Sequence, residues 1–120
     1  MSYDPNNVFA RILRGEIACD KVYEDAHVLA FRDIRPQAPT HILVIPKGAY
    51  VSLEDFSEKA SEAEIVALVR ALGRIARAEG VTEDGWRVLA NNGRAAHQEV
   101  GHLHLHLFAG RDLGPMLWRR

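Results

Sequence analysis

Residues 101–107 read Gly-His-Leu-His-Leu-His-Leu, a strict alternation that admits one local structure. In a strand, successive side chains point to opposite faces, so His102, His104 and His106 share one face and Leu103, Leu105 and Leu107 the other. A helix would scatter both sets around its axis. An apolar face for a core, backed by a face of three imidazoles, describes a rigid strand that presents chemistry.

The rest of the chain supplies partners for that apolar face. Residues 7–14 read as a short helix, capped by Asn6 or Asn7 and stopped by Gly15. Residues 21–24 and 27–33 read as two strands joined by a tight Asp25-Ala26 turn, and residues 42–45, bounded by Pro39 and Pro46, as a third. The pattern at 61–79 predicts a long helix. Ser61 and Glu64 match a capping box, Ile65, Leu68, Val69, Leu72, Ile75 and Ala76 recur at helical spacing, and Gly80 ends the run. Residues 86–90 and 102–108 complete the strands, separated by a polar, turn-rich segment at 91–101. This order predicts an α+β fold: an antiparallel sheet of about five strands, one long helix on its apolar side and a short N-terminal helix. Without repeat or linker, the 120 residues are read as one domain, its core about 7–118.

Charge narrows the function. Fifteen Lys and Arg against 16 Asp and Glu give a net charge of −1, so no positive field suits a nucleic-acid backbone, and any anion must be gripped locally. The single cysteine, Cys19, leaves no internal disulfide and fits a reducing compartment. No charged leader followed by an apolar core opens the chain, and no apolar run is long enough to span a bilayer. The expectation is a cytoplasmic protein with no nucleic-acid or membrane partner.

Four readings fit the histidine face. It is a generic polar surface, a metal site, a catalytic site for phosphoryl chemistry, or a nucleotide-binding site without significant turnover. Same-face neighbours in a strand lie about 6.6–6.8 Å apart at Cα, so the outer pair are about 13 Å apart. Zinc–nitrogen bonds of about 2.0–2.1 Å cannot reach all three from a straight strand, and no metal or other cofactor is expected. Phosphoryl chemistry uses the repetition better. Neighbouring imidazoles suppress one another's protonation, so one stays neutral and nucleophilic while the others donate hydrogen bonds to phosphate oxygens.

The segment His102 to Phe108 resembles the histidine triad (HIT) signature, His-x-His-x-His followed by two apolar residues. A second segment, from Phe31 through Arg32-Asp33-Ile34-Arg35-Pro36-Gln37-Ala38-Pro39-Thr40 to His41 and on to Lys47, resembles the stretch before that family's first active-site histidine. The likeness runs from about Asn7 to Trp118, includes Asn91, Gln98 and Gly110, and is greatest to the Hint branch, the nucleoside phosphoramidate hydrolases.

That resemblance implies a homodimer of α+β subunits, each with a pocket for a purine nucleoside monophosphate. It makes His104 the nucleophile that carries a transient nucleotidyl group, with the His102 carbonyl fixing its tautomer and His106 bonding the phosphate. His41 takes the place of a fourth histidine engaged in proton transfer. Asp33 would hold the ribose hydroxyls, and Ile34, Phe9, Ile12, Ile17 and Phe31 the base. Asn91 and the run His97, Gln98, Glu99 and Val100 would contact phosphate and leaving group, and Trp118 would help line the site. Dinucleoside polyphosphate hydrolysis with the same nucleophile, or a dimeric nucleotide-binding protein with incidental hydrolysis, are the alternatives.

Each residue also has a plain structural reading. Phe9, Ile12, Ile17 and Phe31 would look the same in a core, Asp33 in an Asx-turn, His41 at a strand end, and Asn91 in an Asn-Gly turn. His27 is expected to face solvent, and Arg119 and Arg120 to form a solvated tail. Two positions depart from the family pattern. Glu99 stands where several members carry Ser or Thr; beside a phosphate its carboxylate must be protonated, turned away or facing a cationic leaving group, and the last is the expectation, while Ala109 replaces the first of two glycines.

Overall fold

The computed structural model describes residues 2–117, so the expected contribution of Trp118 and the Arg119-Arg120 tail lie outside the described residues. Five strands, Lys21–Glu24 (β1), Val28–Arg32 (β2), Thr40–Pro46 (β3), Trp86–Leu89 (β4) and Leu105–Ala109 (β5), form one antiparallel sheet in the order β1-β2-β3-β5-β4. Helices Val8–Leu13 (α1), Leu53–Lys59 (α2) and Glu62–Ala78 (α3) complete the expected α+β fold. No helix among the described residues is long and apolar enough to cross a membrane.

The central strands explain the architecture. Val28-Leu29-Ala30-Phe31 and Ile42-Leu43-Val44-Ile45 are buried without interruption, because both sheet faces are covered. One face sends Val28, Ala30, Ile42, Val44, Leu105 and Leu107 against Leu68, Ala71 and Ile75 of α3 and Phe56 of α2. The other packs Leu29, Phe31, Leu43 and Ile45 on Phe9 of α1. A second, smaller core therefore stands on the histidine side of the sheet, and it contains Phe9 and Phe31, which were expected either in a base wall or in a core.

Local chemistry sets the boundaries. Asn7, not Asn6, caps α1, its Oδ1 accepting the Ala10 N–H at 2.9 Å. The α3 capping box forms as the sequence predicts, Ser61 Oγ meeting Glu64 N at 3.2 Å and Glu64 Oε1 meeting Ser61 N at 3.0 Å. At the far end of α3, Glu79 accepts two bonds from Arg32 of β2, at 2.9 and 3.0 Å, which ties helix to sheet. The Asp25 carboxylate accepts the His27 and Val28 N–H groups at 2.8 and 2.9 Å, and Lys47 N donates to the His27 carbonyl at 2.8 Å. These bonds draw His27 against the sheet, so it is half-buried rather than solvent-facing.

Two elements differ from expectation. Helix α2 is unforeseen because it buries a single residue, Phe56, and so shows no apolar period; its signal is the cap pair Ser52 and Asp55. The last strand begins at Leu105 rather than His102. Val44 is the last residue of β3 paired with β5, and two residues on stands Pro46, which has no N–H to offer Leu103. The Leu103 N–H turns instead to the Tyr50 carbonyl at 2.7 Å. His102 and His104 thus sit on a segment released from the ladder.

Candidate active site

The register brings a fourth histidine to the triad. His41 pairs with Phe108 and Leu43 with His106, so His41 and His106 are diagonal neighbours on one face. Their rings meet with His41 Nε2 3.0 Å from His106 Nδ1. The Gln37 backbone N–H points at His41 Nδ1 from 3.1 Å. An amide can only donate, so Nδ1 must accept and the proton of neutral His41 sits on Nε2. That Nε2–H donates to His106 Nδ1, and the proton of His106 is left on its own Nε2. One backbone amide therefore sets the tautomers of two rings.

His104 is oriented separately. Its Nδ1 lies 2.8 Å from the His102 carbonyl, to which it must donate, so Nε2 carries a lone pair. Its ring meets the Phe9 edge at 4.9 Å and the His106 ring at 5.1 Å, and the residue is 7% exposed. Burial lowers the pKa of His104, opposed by the His102 carbonyl and the negative charges of Asp33 and Glu99. His106 is pushed down to about 4, by burial first and then by the proximity of His104 and His41. At neutral pH the cluster is uncharged.

His102 differs from its neighbours. It is wholly buried, with Nε2 2.8 Å from the Pro46 carbonyl and Nδ1 2.6 Å from the Tyr3 hydroxyl. Both ring nitrogens are engaged within the protein, so the polar group this residue leaves for its neighbour is the carbonyl that accepts His104 Nδ1.

Ligand atoms of Asp33, His41 and His106 lie within 4.8 Å of one another, a convergence that the spacing of the triad alone did not reveal. The donor set does not suit a cation. A metal on His41 Nε2 would move the ring proton to Nδ1, where the Gln37 N–H already points and two donors would collide. His41 and His106 are hydrogen-bonded to each other, and Asp33 Oδ2 stands beside them, 3.5 Å from His41 Nε2. The other oxygen of Asp33 accepts the Arg35 N–H at 2.8 Å, so the residue closes an Asx-turn and faces the histidines at once.

The expected base wall is brought together in part. Phe9 and Phe31 are buried in the second core, with Ile12 and Val100 packed against it. Ile17 is half-buried outside that cluster, whereas Ile34 stands 91% exposed. On the phosphate side, the Gln98 side chain is committed to the loop. It accepts the Gly93 N–H at 2.9 Å and donates to the carbonyls of Val51 and Val100 at 2.6 and 3.0 Å. Gly93, at φ 80° and ψ −176°, occupies backbone space open essentially to glycine alone, and His97 adopts the left-handed conformation. The Glu99 and Val100 N–H groups meet no acceptor among the described residues. The turn bonds belong to Asn92, whose Oδ1 takes the Leu53 N–H at 2.8 Å; Asn91 is half-buried. Ala109, the departure from glycine, fills a small cluster with Ala76 and Val81. Gln37 and Pro46 were not foreseen, since a backbone amide or carbonyl leaves no mark in a residue pattern, and Tyr3 was not foreseen because a lone tyrosine belongs to no motif.

Against this geometry, the HIT domain family matches residues 14–113. The chain belongs to the HIT family. This HIT protein is 67% identical over 116 residues to an uncharacterised 13.2 kDa HIT-like protein of Azospirillum brasilense, covering 97% of this chain and 95% of that one. It is 47% identical over 110 residues, 92% of each chain, to the purine nucleoside phosphoramidase of Escherichia coli K12. Among solved structures, the HIT family hydrolase of Legionella pneumophila superposes with a TM-score of 0.84 at 43% identity, covering 91% of this chain and 96% of that one.

Proposed function

We propose that this protein hydrolyses purine nucleoside 5′-phosphoramidates, adenosine or guanosine monophosphate joined to an amine, with His104 as nucleophile. The observation that carries this reading is the bond from His104 Nδ1 to the His102 carbonyl, which leaves the Nε2 lone pair free beside His106. The name of the Escherichia coli relative supports the same chemistry.

His104 Nε2 attacks phosphorus, forming a nitrogen–phosphorus bond as the bond to the amine breaks. His106 Nε2–H steadies a phosphoryl oxygen, and one proton that the His41–His106 pair takes up from solvent passes to the departing amine. A positioned acid of this kind is worth about 10²–10⁴ in rate, because an unprotonated amine leaves poorly. Water then attacks phosphorus as the bond to His104 Nε2 breaks, the water's proton returns to solvent through the His41–His106 pair, the nucleoside monophosphate departs, and His104 recovers its lone pair. Asp33 holds the ribose hydroxyls, Phe9, Ile12, Ile17 and Phe31 the base with Ile34 folding over it, and the 97–100 loop with Asn91 the phosphate. The exposed carboxylate of Glu99, carried on this loop next to Val100 of the second core, supports a cationic, lysine-like leaving group.

We infer a homodimer, supported by the outer edge of β4 and by exposed Trp86, Val66 and Val69. The single cysteine supports a cytoplasmic setting. The test compares adenosine 5′-phosphoramidate and diadenosine polyphosphate as substrates for the wild type and His104→Ala. The expected result is phosphoramidate turnover by the wild type alone, with nucleotide binding retained in the variant. Preference for the polyphosphate, or turnover by the variant, overturns it.

A further inference from the structure

Tyr3 lies ahead of everything the family match covers, which begins at residue 14. Its hydroxyl is 2.6 Å from His102 Nδ1, and the two rings meet edge to face at 5.5 Å and 65°. The direction of that bond follows from the other side of the ring. The Pro46 carbonyl, 2.8 Å from Nε2, can only accept, so the proton of His102 is on Nε2. Nδ1 is then a lone pair inside the protein, and the Tyr3 O–H donates to it.

Ladder bonds do not hold His102, because the ladder ends at Leu105, and ahead of it the Leu103 N–H is held by the Tyr50 carbonyl. The imidazole of His102 replaces the missing cross-strand bonds, gripped by β3 on one side and by the N-terminal segment on the other. That segment is anchored. Asn7 caps α1 and bonds the Asp4 carbonyl through N and Nδ2, at 3.2 and 2.7 Å, and the Arg14 guanidinium holds the Pro5 carbonyl at 2.7 Å.

We propose that Tyr3 is a positioning residue for the nucleophile: it holds the His102 ring, and thereby the carbonyl that keeps the proton of His104 on Nδ1. The proposal rests on the reading of His104 as nucleophile. The Tyr3 hydroxyl bonds His102 and none of the groups assigned to ribose or base, so its loss acts on kcat more than on KM. A buried acceptor deprived of its donor shifts to find another, and the carbonyl shifts with it.

The experiment uses full-length Tyr3→Phe, which keeps the ring and removes the hydroxyl. Histidine ring nitrogens are observed by 15N NMR, and hydrolysis of adenosine 5′-phosphoramidate is measured in parallel. In the wild type, His104 shows a protonated Nδ1 and an unprotonated Nε2; in the variant both resonances move towards a tautomeric average. Turnover falls about tenfold with KM unchanged. An unaltered His104 pattern with wild-type kcat overturns the proposal. If the wild type hydrolyses no phosphoramidate, the functional reading fails, and the nitrogen resonances still decide whether Tyr3 sets the tautomer. A variant that fails to fold is replaced by Tyr3→Gln, whose amide retains a donor and is expected to preserve the wild-type pattern; loss of the pattern there overturns the proposal.

Discussion

Replacing His106 by Asn tests whether the histidine cluster is held neutral by the fold. The folded protein keeps His106 down at about 4, while an imidazole in the unfolded chain has its ordinary value of about 6.5. Between those values the unfolded chain binds a proton that the folded chain refuses. Stability is therefore present above pH 6.5 and lost as the pH falls towards 4, the sign set by greater proton binding in the unfolded state. Integrated, His106 alone accounts for about 3 kcal/mol over the whole window and about 1 kcal/mol between pH 7 and pH 5.5. His41, His102 and His104 are lowered in the same direction, chiefly by burial, and steepen the wild-type curve. Urea unfolding followed by tryptophan fluorescence, at one fixed protein concentration, measures both proteins at the two pH values. The wild type should lose about 1 kcal/mol more than His106→Asn over this interval. Parallel losses would refute the reasoning, since they would mean that His106 titrates alike in both states.

Three other substitutions probe the frame around the cluster. Ser61→Ala removes half of the α3 capping box and should lower unfolding free energy by about 1 kcal/mol in urea titrations; no change would deny the box its role. Gly110→Ala places a methyl 2.7 Å from Pro39 Cβ at φ 99°, and should cost about 1–3 kcal/mol in the same assay, with wild-type stability as the contrary result. Gln98→Leu deletes three bonds that brace the 93–100 loop, and calorimetry should show adenosine monophosphate binding weakened about tenfold, a fully retained affinity being the opposing outcome.

The fold was legible where side chains repeat with the period of an element. The stripe from Ile65 to Ala76, closed by Ser61 and Gly80, fixes α3 because apolar spacing and caps agree. Helix α2 was not legible, since one buried phenylalanine makes no stripe. The alternation at 102–107 placed the three imidazoles on one side, yet it extended the strand three residues too far. Termination at Leu105 is decided by Pro46, 59 residues earlier in the chain, through a missing N–H that only pairing reveals. The same holds for the site. His41 and Asp33 were found by their place in a family pattern, whereas the Gln37 amide that sets two tautomers is a backbone group with no residue preference. Tyr3 was missed because a lone tyrosine ahead of the first helix has no period and no motif.

Quenching the enzyme in alkaline denaturant, where a phosphorus–nitrogen bond to histidine survives, during turnover of radiolabelled adenosine 5′-phosphoramidate, followed by peptide mapping, bears most directly on the nucleophile. A trapped nucleotidyl group is expected on His104 and absent from His104→Ala. Label on His102 or His106, or turnover with no trapped nucleotide on the protein, would contradict it.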